Sequence, residues 1–117
     1  MNIESFRAHC LAKKGVTEEF PFDNSTLVFK VMGKMFALTD VEEFSGVNLK
    51  VVPEEGAALR DQYSFIQGAY HMNKKHWITV ATAEAIPDKL FKKLIDDSYA
   101  LVVSGLTKSK KLELGTK

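Results

Sequence analysis

Cysteine is nearly missing. Cys10 stands alone, which excludes an intrachain disulfide and fits a reducing, cytoplasmic setting. Arginine is scarce too, with only Arg7 and Arg60, so the bidentate reading of guanine, mostly arginine work, has little to draw on. No window approaches the roughly 20 apolar residues of a membrane span. Glu4 and Arg7 interrupt any apolar run of signal-peptide type near the start. Carboxylates are absent from one whole interval, Asp61 to Glu84, and that interval holds Lys74 and Lys75. CxxC, HxxxH, HExxH and GxSxG patterns are all lacking, so no spacing announces a metal site or an activated nucleophile.

What is present is ordinary for a globular chain: 117 residues, 45% hydrophobic, 26% charged, formal net charge +1. That length supports a single domain over residues 1–117 with one core. The balanced charge argues neither for nor against nucleic acid, but its distribution is uneven. Acids cluster at Glu18-Glu19, Glu42-Glu43, Glu54-Glu55 and Asp96-Asp97, whereas Lys108, Lys110, Lys111 and Lys117 load the tail. The molecule is therefore expected to have a basic hairpin and a basic C-terminus.

Asn2 is a fitting cap for a first helix, with Ile3, Phe6 and Cys10 at helical spacing and Gly15 as its stop. Val16 to Ser25, broken by Pro21, reads as a loop. Thr26–Met32 and Met35–Thr39 flank Gly33-Lys34, which suits a type II′ turn that would pair Val31 with Phe36 and Met32 with Met35. Val47, Leu49 and Val51 alternate with polar residues as a third strand. Pro53 followed by Glu54-Glu55 opens a short helix. Two more strands come next, then a long apolar-periodic segment from Pro87 to about Thr107 in which Asp97-Ser98 offers a second helix start. Lys108 to Lys117 is polar and is expected to fray. The fold class is α+β: an antiparallel sheet with helices on one face, in the order α-β-β-β-α-β-β-α.

The functional reading centres on Tyr70-His71-Met72-Asn73-Lys74-Lys75-His76-Trp77. A tight hairpin turning at Asn73-Lys74 would set Met72 opposite Lys75, His71 opposite His76 and Tyr70 opposite Trp77, with Gly68 a candidate bulge. Lys74 and Lys75 then suit phosphate contacts, with Asn73 and His76 beside them and Trp77 and Tyr70 available to stack on bases. The alternative is a ligand or catalytic pocket at the Tyr70, His71, His76 and Trp77 edge, with His76 titrating near neutrality but no carboxylate nearby in sequence. Cys10, on an apolar helical stripe, reads as a small buried hydrophobe rather than a nucleophile. A third class is protein interaction through a face carrying Met32 and Met35. No cofactor and no metal is implied. The partners expected are DNA and, at most, a weak second copy of the chain.

Several stretches together resemble the MmcQ/YjbR family. They are Phe29-Lys30-Val31-Met32-Gly33-Lys34-Met35-Phe36-Ala37-Leu38, Leu49-Lys50 with Pro53-Glu54 and Leu59-Arg60, the run from Tyr70 to Val80, and Ser98-Tyr99 with Leu101-Val102 and Leu106. The similarity spans about Phe20 to Lys108. The family usually has Pro-Phe-Gly where this chain has Pro21-Phe22-Asp23. The resemblance implies an α+β fold related to the CyaY-like and secretion-chaperone-like folds, a bacterial origin and a DNA-binding role. That role rests on likeness to a double-wing domain, a fold analogy. It carries over no catalytic residues.

Overall fold

A computed structural model of the chain describes residues 1–69, 72–83 and 86–115. The elements run α1 (Ile3–Leu11), β1 (Val16–Glu19), β2 (Thr26–Val31), β3 (Lys34–Asp40), β4 (Gly46–Lys50), α2 (Pro53–Gln62), β5 (Ile66–Gly68), β6 (Trp77–Ala81), α3 (Asp88–Ser104) and α4 (Lys108–Gly115). The strands form one antiparallel sheet in the order β1-β2-β3-β4-β6-β5. The α+β class expected from the sequence holds, with one strand and one helix more than the sequence indicated.

Both additions have physical reasons. β1 is an edge strand whose residues are half-buried or exposed. It lacks an apolar alternation, and its pairing of Val16 with Val31 through Glu19 with Val28 is what orders it. α4 is polar apart from Leu112 and Leu114, but Leu114 is buried in the main core. Lys110 Nζ also donates to the Met32 carbonyl at 3.4 Å. The tail is therefore a docked helix through Gly115 rather than a frayed end. Tertiary contact orders a helix that its own propensity would leave marginal.

The β2–β3 hairpin turns one residue earlier than expected. Met32 and Gly33 both lie at positive φ, 50° and 84°, as a type I′ turn requires, and Val31 pairs with Lys34 rather than with Phe36. The ladder then shifts between Phe29 and Lys30, leaving Phe36 as the extra residue of a bulge. The bulge lets Phe36 and its neighbour Ala37 both join the main core, which strict alternation forbids. It also separates Met32 from Met35. Met32 packs on the main core and Met35 on the opposite face, so they do not form the shared surface the sequence suggested.

That main core lies between the sheet and the helices. Phe6 and Cys10 of α1 and Phe91, Leu94 and Ile95 of α3 meet Phe29, Phe36, Leu49 and Ile78. The Phe6 and Phe29 rings contact edge to face, with centroids 5.4 Å apart. The capping box between Asn2 and Ser5 starts α1 as its sequence indicated. α3 is unbroken at Asp97-Ser98. Ser98, fully buried, donates from Oγ to the Phe36 carbonyl at 2.6 Å and accepts from the Lys50 N–H at 2.8 Å. It thus satisfies a bulge carbonyl and a strand-end amide. The other face of the sheet has a small cluster of Val28, Leu38, Ala69 and Trp77, which no helix residue joins among the described residues.

α1 and α3 are also tied at their exposed edges. His9 Nε2 lies 2.7 Å from Asp96 Oδ1, Lys13 pairs with the same carboxylate, and the Tyr99 hydroxyl donates to the Lys14 carbonyl at 2.6 Å. Among the described residues no helix is long and apolar enough to cross a membrane.

Two outcomes follow from these contacts. Ser98→Ala strands the buried Phe36 carbonyl and the part-buried Lys50 amide and should cost about 2 kcal/mol in denaturant unfolding. A loss below roughly 0.5 kcal/mol would mean the bridge contributes little. Burial pushes the Asp96 carboxyl up, but the bonds from Lys13 and His9 outweigh it and hold the group below its ordinary 3.8. A depressed folded value means its stabilisation is present above 3.8 and is lost as pH falls through the lower folded value. Asp96→Asn should therefore flatten the dependence of stability on pH below about 4, read from unfolding midpoints over an acid series.

Candidate functional site

The run that the sequence singled out does not form a tight hairpin. β5 ends at Gly68 and β6 begins at Trp77, so a long connection joins them. The register pairs Gly68 with Ile78, and Ala69 N–H donates to the Trp77 carbonyl at 3.2 Å. Ala69, not Tyr70, is thus the partner of Trp77, one residue away from the expected pairing. Tyr70 and His71 lie outside the described residues, so the proposed facing of His71 and His76 lies outside them too.

Asn73 organises the described part of the connection. Its Oδ1 accepts from the Lys75 N–H at 2.9 Å. Its carbonyl accepts from the His76 and Trp77 N–H groups at 3.1 and 3.0 Å. This is an Asx-type cap closing a single helical turn, not the left-handed position of a two-residue loop. Gly68 sits in a regular ladder and is no bulge. A Cβ there would lie 3.4 Å from the Lys74 stem, an ordinary van der Waals contact, so the stem lies across the strand without requiring glycine.

The cluster of cations and rings separates into two environments. Lys74, Lys75 and His76 are exposed, whereas Trp77 is only 9% exposed and packs on Val28, Leu38 and Ala69. Trp77 is therefore not a projecting ring. No carboxylate is bonded to His76 among the described residues. The histidine that does meet a carboxylate is His9, through Asp96 of α3, a pairing across 87 residues that no local pattern marks. Neighbouring Cys10 is fully buried, and burial pushes its thiol up to about 12, which removes it as a nucleophile near neutrality. Among the described residues no three potential metal ligands gather.

Sequence reasoning missed how the register sorts charge. β1, β3 and β6 begin, and β2, β4 and β5 end, on the same side of the sheet. That side carries the Met32-Gly33 turn with Lys34, the end of β4 with Lys50, and the connection with Lys74, Lys75 and His76. Lys50 is directly opposite Trp77, and the Val51 N–H donates to the His76 carbonyl at 2.9 Å. Two cations join from elsewhere. Lys110 reaches the Met32 carbonyl, and Arg60 Nη1 donates to the Lys74 carbonyl at 3.4 Å. Arg60 is thus at the tip, although sequence distance placed it away. Among the described residues, none of Lys34, Lys50, Arg60, Lys74 and Lys75 is in an ion pair.

The opposite side gathers Glu19, Asp23, Asp40, Glu42, Glu43 and Asp88. Asp23 and Asp40 are consumed locally. Asp23 Oδ1 accepts from Thr26 and Ser25 N–H at 2.6 and 2.9 Å, bonds that lower its pKa. This gives the aspartate that departs from Pro-Phe-Gly a turn-capping role. Asp40 Oδ1 accepts from the Glu42 N–H at 2.8 Å. The separation is incomplete, because Glu54 and Glu55 open α2 beside the basic side.

The helix-free face of the sheet adds a groove of about 680 Å³ running from Thr26, Asp40 and Ser45 to Met72, Asn73 and Trp77. On its floor Thr79 Oγ1 donates to Asn48 Oδ1 at 2.7 Å, and Asn48 Nδ2 faces the Met72 sulfur at 3.6 Å. Phe22, 64% exposed, forms part of one wall.

Removing the Asn73 cap by Asn73→Ala should cost about 1 kcal/mol of stability and shift the amide resonances of Lys75, His76 and Trp77 together. Unmoved resonances would show that the turn holds without the side chain.

The comparisons with known proteins agree with this architecture. Residues 11–101 match the family model described as YjbR. The chain is 45% identical over 92 residues to the uncharacterised protein YbdF of Escherichia coli O157:H7, covering 76% of this chain and 74% of that one. It is 34% identical over 112 residues to the uncharacterised protein YjbR of Escherichia coli K12, covering 95% of each. The crystal structure of Deinococcus radiodurans protein DR2400 superposes with a TM-score of 0.89 at 41% identity, over 97% of this chain and 88% of that one. A Pseudomonas syringae protein superposes with a TM-score of 0.72 at 31% identity, over 86% of this chain and 98% of that one. By sequence and by fold, the chain belongs to the YjbR family.

Proposed function

We propose that the protein binds DNA through the basic side of its sheet, contacting mainly phosphates. The observation that carries this reading is the register, which lines up Lys34, Lys50, Lys74 and Lys75 on one side without ion-pair partners among the described residues. Cations left unpaired at strand ends attract a polyanion and release its counterions. Arg60, brought to the Lys74 carbonyl, adds a guanidinium suited to bidentate phosphate contact.

In this reading Lys74 and Lys75 are direct phosphate contacts. His76 is exposed beside them. Asn73 holds the turn that presents them, and Trp77 supports the strand from beneath. Recognition is consequently weakly specific and salt-dependent. The reading places the protein in the cytoplasm, acting as a monomer or weak homodimer, with no catalytic step.

The test is binding of labelled duplex and single-stranded oligonucleotides over a salt series. The native protein should show log K falling linearly with log salt. Lys74→Glu/Lys75→Glu should lose at least tenfold in affinity and flatten the slope by about 2. Affinity and slope unchanged in the double variant would remove this side of the sheet from the interaction.

A further inference from the structure

Two concave regions meet at one ridge. The groove on the helix-free face, about 680 Å³, and a cleft of about 340 Å³ bordered by Lys34, Lys50 and Gly105 share Met35 and Trp77 as a common wall. One side of that wall is apolar with a few hydrogen-bonding groups, and the other is bordered by two lysines. A ligand spanning it would be largely apolar at one end and anionic at the other.

Asn48 supplies the recognition group. Its Oδ1 accepts from Thr79 Oγ1 at 2.7 Å and retains a second lone pair. One Nδ2 proton is directed at the Met72 thioether 3.6 Å away, a weak acceptor. The amide is thus fixed in orientation by Thr79 yet holds a displaceable partner on its donor side. Asparagine amides pair in this way with the edge of adenine. The groove's volume falls within the range of small-molecule and cofactor sites.

We infer that the groove receives an unpaired nucleobase from a DNA strand, with that nucleotide's phosphate held by Lys34 and Lys50. The strand, not a free nucleotide, is the source, because cations continue beyond the cleft to Lys74, Lys75 and Arg60, where neighbouring phosphates would lie. This inference rests on the DNA-binding reading above and narrows it, since the preferred partner becomes single-stranded. The base enters beside the Trp77 edge, between Met35 and Met72. The tryptophan, at 9% exposure, need not leave its packing.

Trp77 is the sole tryptophan, so its emission reports on this wall alone. A 12-nucleotide single strand containing adenine should quench Trp77 and bind about tenfold more tightly than the blunt duplex of the same sequence at equal salt. Asn48→Leu should lose most of that preference while leaving duplex affinity unchanged. Adenosine monophosphate should bind at least a hundredfold more weakly than the strand. Equal affinity for strand and duplex, unchanged Trp77 emission on strand binding, or mononucleotide binding as tight as the strand would each overturn the inference while leaving the DNA-binding reading in place. Affinity for neither form of DNA would overturn that reading and this one with it.

Discussion

Antiparallel pairing in a single register is the constraint from which the rest follows. Each strand reverses direction relative to its neighbour, so residues far apart in sequence are gathered at one end of the sheet whenever they end one strand and begin the next. Lys50 ends β4 and lies opposite Trp77, which begins β6. Lys34 begins β3 just after a turn that only a left-handed pair such as Met32-Gly33 closes. The bulge at Phe36 keeps both faces filled after that turn, and Ser98 answers the carbonyl the bulge exposes while also holding the Lys50 amide. The same few bonds that fix the core therefore also fix where the cations stand.

The apolar groove and the basic side are two consequences of one asymmetry. Helices α1, α3 and α4 contribute to the core on one face only, so the opposite face keeps Met35, Trp77 and the Asn48–Thr79 pair at the surface of a groove. Trp77 joins the two features because it lies at the first position of β6, at the edge of the groove and across from Lys50. Its burial makes it a wall, while the exposed residues immediately before it remain free to meet solvent. A cluster that looks like one unit in sequence thus divides by a single residue's change of side.

Much of the fold was legible in the residues. Asn2, Pro53 and Pro87 mark helix starts by local chemistry, and Val47-Asn48-Leu49 shows its strand by alternation, so those elements begin where the sequence put them. The first helix instead stops early, at Leu11 with Ala12 as its C-cap, three residues short of the expected stop at Gly15. The run from Val16 to Glu19 carries no such alternation, and only the neighbouring β2 makes it a strand. The tail lacks an apolar stripe, and one leucine, Leu114, docks it. Gly33 signals a turn but not whether it is the first or the second central residue, since both turn types accept glycine; the register differs by one accordingly. At the site, Lys74 and Lys75 were visible as an acid-free stretch, but Arg60, Lys50 and Lys34 are contributed by other elements and become neighbours only once the strands pair. Asn73 was visible as a turn residue, although its role is to cap a helical turn.

The central claim is that charge sorted by strand register makes one side of the sheet the nucleic-acid surface. Amide chemical-shift mapping on titration with an oligonucleotide tests it most directly. The account predicts that perturbed resonances concentrate at Lys34, Lys50 and Lys74 to Trp77, with the opposite side from Glu42 to Phe44 unmoved. Perturbations confined to that opposite side, or to the outer surfaces of α1 and α3, would contradict it.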